Sequence, residues 1–226
     1  MSYAVSQKKD RKHKVSIPDY TLAEELVSSI SHGIGAGLGI AALCLCVIRA
    51  TVHGDAYAIV SSWIYGFSLV ILYSMSCIYH GLAKNNAKRV MRVMDHCTIF
   101  LLIAGTYTPF TLVSLRHGIG WPLFGIIWGT AVLGIVLNAV DVERFEKISM
   151  VCYLAMGWAI LFTIRPLFHV ISAEGIKLLI AGGIAYTAGA VIYGLGNKRR
   201  YMHSVWHFFV LAGSILHFFT IYQYVI

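Results

Sequence analysis

Hydrophobic and polar positions alternate along this chain on the scale of whole membrane crossings. Seven apolar runs, near 27–48, 57–82, 94–115, 120–140, 149–171, 176–195 and 203–225, are separated by short polar stretches. Each run has roughly 20 residues, the length a helix needs to cross the hydrocarbon core of a bilayer. In lipid the backbone must satisfy its own hydrogen bonds, so such runs predict helices. The short connections predict that sequential helices are antiparallel neighbours. The expected architecture is an all-α membrane protein. A seven-helix transmembrane bundle would occupy residues 20–226, behind a short basic tail in 1–19.

Composition supports that class. The 226 residues are 58% hydrophobic and 12% charged, whereas a soluble domain is about 25% charged. Mean hydropathy is +0.72. The tail MSYAVSQKKDRKHKVSIPD has no apolar core of the kind a secretory leader requires. Cys44, Cys46, Cys77, Cys97 and Cys152 all lie in or beside apolar runs, which predicts small buried hydrophobes and no disulfide framework.

The net charge of +8 raises nucleic acid as a partner, but its distribution reports topology. With the N-terminus inside, the inner set is Lys8, Lys9, Arg11, Lys12, Lys14, Lys84, Lys88, Arg89, Arg92, Arg144, Lys147, Lys198, Arg199 and Arg200, fourteen of the eighteen basic residues. The outer set is Arg49, Arg116, Arg165 and Lys177. The positive-inside rule then predicts a cytoplasmic N-terminus and an outside C-terminus. A basic inner face fits anionic lipid and not DNA.

Small residues predict close helix packing at Gly33, Gly35, Gly37 and Gly39, at Gly125 and Gly129, and at Ala181, Ala185 and Gly189. Pro109 should kink the third helix and free the Gly105 carbonyl, with Thr106 or Thr108 satisfying the freed groups. Arg165, before Pro166, should snorkel to the outer headgroups. No paired broken helices of the transporter kind are expected.

The candidate chemistry sits at one membrane depth. The seventh run opens with His203-Ser-Val-Trp-His207, two imidazoles four residues apart on one helix face. The topology brings the end of the second helix, with Ser76 and His80, and the start of the third, near Asp95, to the same inner level. Ionisable groups there are costly and usually functional. Three histidines from two helices suit Zn²⁺ and leave a position for water, the catalytic pattern. Asp95 could orient or deprotonate that water, and Ser76 could hydrogen-bond it or a substrate carbonyl. A packed polar network is the competing reading. His217, ten residues beyond His207, lies about 15 Å further along the axis and outside any shared centre. His96 points about 100° from Asp95 and is placed at the interface. Glu25 and His32 are read as structural polar contacts, and His13, His53, His117 and His169 as ordinary.

Ser76-Cys-Ile-Tyr-His80, Asp95-His-Cys-Thr-Ile-Phe-Leu-Leu-Ile-Ala-Gly-Thr-Tyr-Thr-Pro109 and His203-Ser-Val-Trp-His207 together resemble the hemolysin III branch of the progestin/adiponectin-receptor (PAQR) superfamily. Glu25-Leu-Val-Ser28-Ser-Ile-Ser31-His32 resembles that family's Glu-x-x-Asn-x-x-Thr-His opening, with Ser28 and Ser31 replacing Asn and Thr. The resemblance runs from about residue 20 to the end. It implies Zn²⁺ on His80, His203 and His207, with Asp95 and Ser76 beside the metal-bound water. It implies a multi-pass protein of the bacterial cytoplasmic membrane, concerned with membrane-lipid homeostasis. It also implies kinship with ceramidase-like lipid amide hydrolases, and so a lipid substrate or free fatty acid as ligand. The rival expectations are a non-catalytic sensor or regulator with structural zinc, and a pore-forming hemolysin. The latter is disfavoured because the helices carry almost no charged lining.

Overall fold

A computed structural model describes residues 15–196 and 199–226. Most of the basic tail, and Lys198, lie outside the described residues. There are seven crossings: α1 (Leu22–His53), α2 (Ala56–Gly81), α3 (Asn86–Pro109), α4 (Gly120–Asp141), α5 (Glu146–Trp158) continued by α6 (Ile164–Val170), α7 (Ala173–Gly196) and α8 (Met202–Tyr224). All seven are long and apolar enough to cross a membrane. Among the described residues there is no strand.

The helices outrun their apolar runs because polar residues cap and extend them. Thr21 and Glu24 form a reciprocal capping box that starts α1 five residues early. Asp55 caps α2 and Asn85 caps α3. Asn85 thereby starts α3 eight residues before the predicted 94. Lys88, Arg89 and Arg92 lie within the helix and not in a loop, and Asp95 stands more than two turns inside it. Hydropathy sees only the segment that lipid covers, whereas capping sets where the helix begins.

α3 is the central element. Its apolar window is 72% buried, against 17–50% for the other crossings. It packs between α2 and α4, while α1 lies on α2 and α8, and α7 lies on α8. Backbones meet most closely where a side chain has no room. A Cβ on Gly105 of α3 would sit 2.2 Å from Ser68 Oγ of α2, and one on Gly35 of α1 would sit 2.6 Å from the Tyr73 ring. Gly125 and Gly129, predicted as packing positions, face nothing within 4 Å, and Ala181 is exposed. Small-residue spacing marks a smooth face and not its partner.

Two crossings are interrupted: the third at Pro109, where the sequence predicts a kink, and the fifth, where it predicts none. α3 passes at Pro109 into a π-helical turn, Phe110–Ser114. The predicted threonine repair of Gly105 does not occur: Thr106 and Thr108 donate to Leu102 and Ala104, their own preceding turns. The fifth crossing tightens to a 3₁₀ stretch, Ala159–Thr163, between α5 and α6. Tyr107 joins the two interruptions. Its hydroxyl donates to the Met156 carbonyl at 2.6 Å and accepts from the Ile160 amide at 2.8 Å.

Contacts identify the two ends of the bundle. At one end, Arg92 Nη1 donates to the Ser16 carbonyl at 2.9 Å and pairs with Glu143 at 3.0 Å. Arg89 donates to the Val15 carbonyl, Lys84 pairs with Asp19, and the Tyr201 amide donates to Glu24 Oε1. At the other end Arg116 pairs with Asp55, and Arg49 donates to the Ile226 carbonyl. The first end carries Lys84, Lys88, Arg89, Arg92, Arg144, Lys147, Arg199 and Arg200. It is the basic end, and residues 15–20 are strapped across it.

Candidate metal centre

His80 stands in the last turn of α2, and His203 and His207 in the first two turns of α8, all at the basic end. Their ligand nitrogens lie within 4.8 Å of one another. Nε2 of His203 is 3.1 Å from Nε2 of His80 and 3.1 Å from Nε2 of His207. One ring nitrogen carries either a proton or a lone pair, and so makes one in-plane hydrogen bond. His203 Nε2 cannot satisfy both neighbours as a hydrogen-bonding atom. His80 Nδ1 donates to Glu25 Oε2 at 2.7 Å, which leaves its own Nε2 as a bare lone pair. Three convergent lone pairs fit a cation: bonds of about 2.0–2.1 Å at tetrahedral angles would hold the nitrogens about 3.3 Å apart.

The rings are held from several sides. His32 stacks on His207 with centroids 3.8 Å apart and meets Tyr73 edge-on. Tyr20, at the end of the strap, stacks on His203 at 4.8 Å. Burial pushes the Tyr20 phenol up, so this cover is neutral. Ser28 Oγ and Ser204 Oγ share a hydrogen bond at 3.0 Å, tying α1 to α8 beside the centre. Tyr201, which starts α8, is the one non-glycine residue with positive φ (63°) among the described residues. That conformation costs about 1–3 kcal/mol, and the bond from its amide to Glu24 at 2.6 Å holds it there.

A cavity of about 140 Å³ opens beside the centre between α3, α5, α7 and α8. His203, His32 and Asp95 line it at one end, Tyr107, Trp158 and His217 further along, and apolar side chains form most of its wall. From His203 to His217 it runs about 21 Å by helical rise. Asp95 is buried on this wall, and its carboxylate is not paired with Arg92, which turns to Glu143 instead. Ser76 is 1% exposed, its Oγ without a partner among the described residues, and it is not part of the cavity wall. His96, placed at the interface from sequence, is half-buried and lines the cavity, its Nδ1 2.9 Å from the Arg92 carbonyl. His217 Nε2 donates to the Leu179 carbonyl at 3.1 Å, far from the cluster.

Sequence reasoning missed two residues at this centre. Tyr20 belonged to no motif and left no signal. Lys88 left one, since it lies seven residues before Asp95 and so on the same face of α3.

A profile of the family described as "Haemolysin-III related" matches residues 20–218, the span that holds Tyr20, Glu25, His80, Asp95, His203 and His207. The chain belongs to the haemolysin III family. It is similar to "Hemolysin-3" of Bacillus cereus, 44% identical over 203 residues, 90% of this chain and 92% of that one. It is 40% identical to "Hemolysin-3 homolog" of Bacillus subtilis (strain 168), over 91% and 96% of the two chains. It is also 24% identical to "Monocyte to macrophage differentiation factor" of Homo sapiens, over 75% and 72%. This haemolysin III chain is thus a multi-pass membrane protein with three histidines close enough to hold a metal ion.

Proposed function

We propose that this haemolysin III protein binds Zn²⁺ through His80, His203 and His207 and hydrolyses an acyl amide or ester bond of a membrane lipid. The observation that carries the reading is the convergence of three imidazole nitrogens beside an apolar cavity whose wall includes Asp95. Zn²⁺, when bound, supplies Lewis acidity, lowering the pKa of coordinated water to about 7. The chain's own residues do the rest. The cavity takes the acyl chain and excludes bulk water from the reacting bond. An Asp95 carboxylate oxygen accepts a proton from the attacking water as its oxygen bonds to the acyl carbon. The same carboxyl then returns that proton to the departing amine or alkoxide as the C–N or C–O bond breaks. The products are a fatty acid and an amine or alcohol. Ser76 Oγ, one turn from His80, donates a hydrogen bond to the acyl oxygen or the water.

The basic end faces the cytoplasm of a bacterium and anionic lipid in the inner leaflet, so the C-terminus lies outside. This orientation rests on the charge asymmetry between the two ends. The role that follows is adjustment of membrane-lipid composition from the cytoplasmic membrane.

The test is zinc content and fatty-acid release from lipids with the purified chain. About one zinc per chain is expected, and His203→Ala should lose both metal and turnover. Unchanged turnover in metal-free His203→Ala rules out the reading. A second reading, a non-catalytic regulator in which zinc staples α2 to α8, draws on the direct His80–His203 contact between those helices. It is favoured if Asp95→Ala keeps zinc and retains the wild-type effect on the membrane. A pore finds no support in a cavity with largely apolar walls.

A further inference from the structure

His80 differs from the other two histidines in one respect. Its Nδ1 is held by Glu25 Oε2, whereas Nδ1 of His203 and of His207 is buried without a partner among the described residues. Glu25 is held in turn. Its other oxygen, Oε1, pairs with Lys88 Nζ at 2.8 Å. Lys88 is 1% exposed, a rare position for an ammonium group unless it is paired. Its remaining donors are also used. The Leu82 carbonyl accepts from Nζ at 2.9 Å, and Nζ stands 5.1 Å over the Tyr79 ring, within cation–π range. Three helices therefore meet in one line: Lys88 from the first turn of α3, Glu25 from the first turn of α1, and His80 from the last turn of α2.

A carboxylate that accepts from Nδ1–H selects one tautomer of the imidazole and leaves Nε2 free to ligate. Such a carboxylate stays ionised and in place only while its own charge is compensated. Lys88 supplies that compensation from a fixed point, because its own amide is held by the Asn85 cap at 2.9 Å. An exposed lysine would be screened and mobile.

We propose that Lys88 is a positioning residue for the metal centre, acting through Glu25. The Lys88–Glu25–His80 line holds His80 as the Nδ1–H tautomer with Nε2 turned toward His203 and His207, and so sets the affinity of the site for Zn²⁺. The proposal rests on the reading of these histidines as zinc ligands. Loss of such an outer partner typically weakens metal binding about 10–100-fold.

The test is chelator competition for Zn²⁺ with the full chain in detergent, comparing wild type, Lys88→Met, Glu25→Ala and, as a control, Lys84→Met. Lys84 is half-exposed and pairs with Asp19 on the strap. Lys88→Met and Glu25→Ala should each bind zinc about 10–100-fold more weakly, and Lys84→Met should match wild type. Nitrogen-15 spectra of the metal-free wild type should show His80 protonated on Nδ1. Wild-type zinc affinity in Lys88→Met overturns the proposal, and so does an Nε2–H tautomer of His80 in the wild type. The second measurement needs no variant, so it decides even where Lys88→Met does not fold. A wild-type chain that binds no zinc overturns the metal reading and the proposal with it. Zinc binding that Lys88→Met leaves intact overturns the proposal alone.

Discussion

Asp95 and Ser76 flank the histidines with different surroundings, and that difference makes their roles separable. Asp95 lies on the cavity wall; Ser76 lies off it, one turn from His80 on α2, its buried hydroxyl without a partner among the described residues. Asp95→Asn keeps size and burial but removes the base. It should retain zinc and reduce fatty-acid release about 10²–10⁴-fold, read as turnover at equal metal content. Ser76→Ala should cost less, since its hydroxyl adds a hydrogen bond and carries no proton in the reaction. Packing gives a second residue-scale prediction. A Cβ on Gly105 would fall 2.2 Å from Ser68 Oγ. Gly105→Ala should therefore destabilise the bundle by about 1–3 kcal/mol, as overpacking does, seen as a lower melting temperature. Gly125→Ala, which meets nothing within 4 Å, should leave it unchanged.

At the scale of elements, one hydroxyl ties α3, just before its interruption at Pro109, to the interruption in the fifth crossing. Tyr107 accepts from the Ile160 amide and donates to the Met156 carbonyl, which the Ala159 amide also reaches, at the junction of α5 with the 3₁₀ stretch. Tyr107→Phe removes the hydroxyl and with it the acceptor of the buried Ile160 amide, at about 1–3 kcal/mol. Hydrogen exchange should report this locally, with faster exchange at Ile160 and its neighbours and no change in α1 or α2. The strap is the other element with a specific chemistry. The Ser16 hydroxyl beside Glu143, and then the Arg92 guanidinium, hold the Glu143 carboxyl below the usual carboxylate range. A carboxyl lowered on folding contributes stability that is present above its unfolded value of about 4.3 and is lost as pH falls through its folded value. Melting temperature should therefore fall on acidification below about pH 4.3, and fall less in Glu143→Gln.

For the whole molecule, the two ends carry unequal charge, and the metal candidates share the basic one. A cysteine placed at Gly118, in the turn before α4, should react with an impermeant maleimide added outside intact cells. One placed at Arg144, between α4 and α5, should not. The reverse pattern would put the histidines at the outer leaflet. The strap and the centre lie at this end and the cavity reaches it, so orientation decides which leaflet supplies the lipid.

Seven crossings, their order and the shared depth of His80, Asp95, His203 and His207 were legible in the chain, because lipid imposes a length on every apolar run and alternation assigns each helix end to a side. The family resemblance named the same histidines. Side-chain partnerships were not legible. Hydropathy does not report that Asn85 extends α3 by two polar turns, that Lys88 is thereby buried against Glu25, or that Glu25 turns to His80. Nor does it show that Arg92 pairs with Glu143, or that His96 faces the cavity. Those outcomes depend on the rotation of each helix about its own axis and on which neighbour it meets. Burial and hydrogen bonding settle both only when all the helices are packed together.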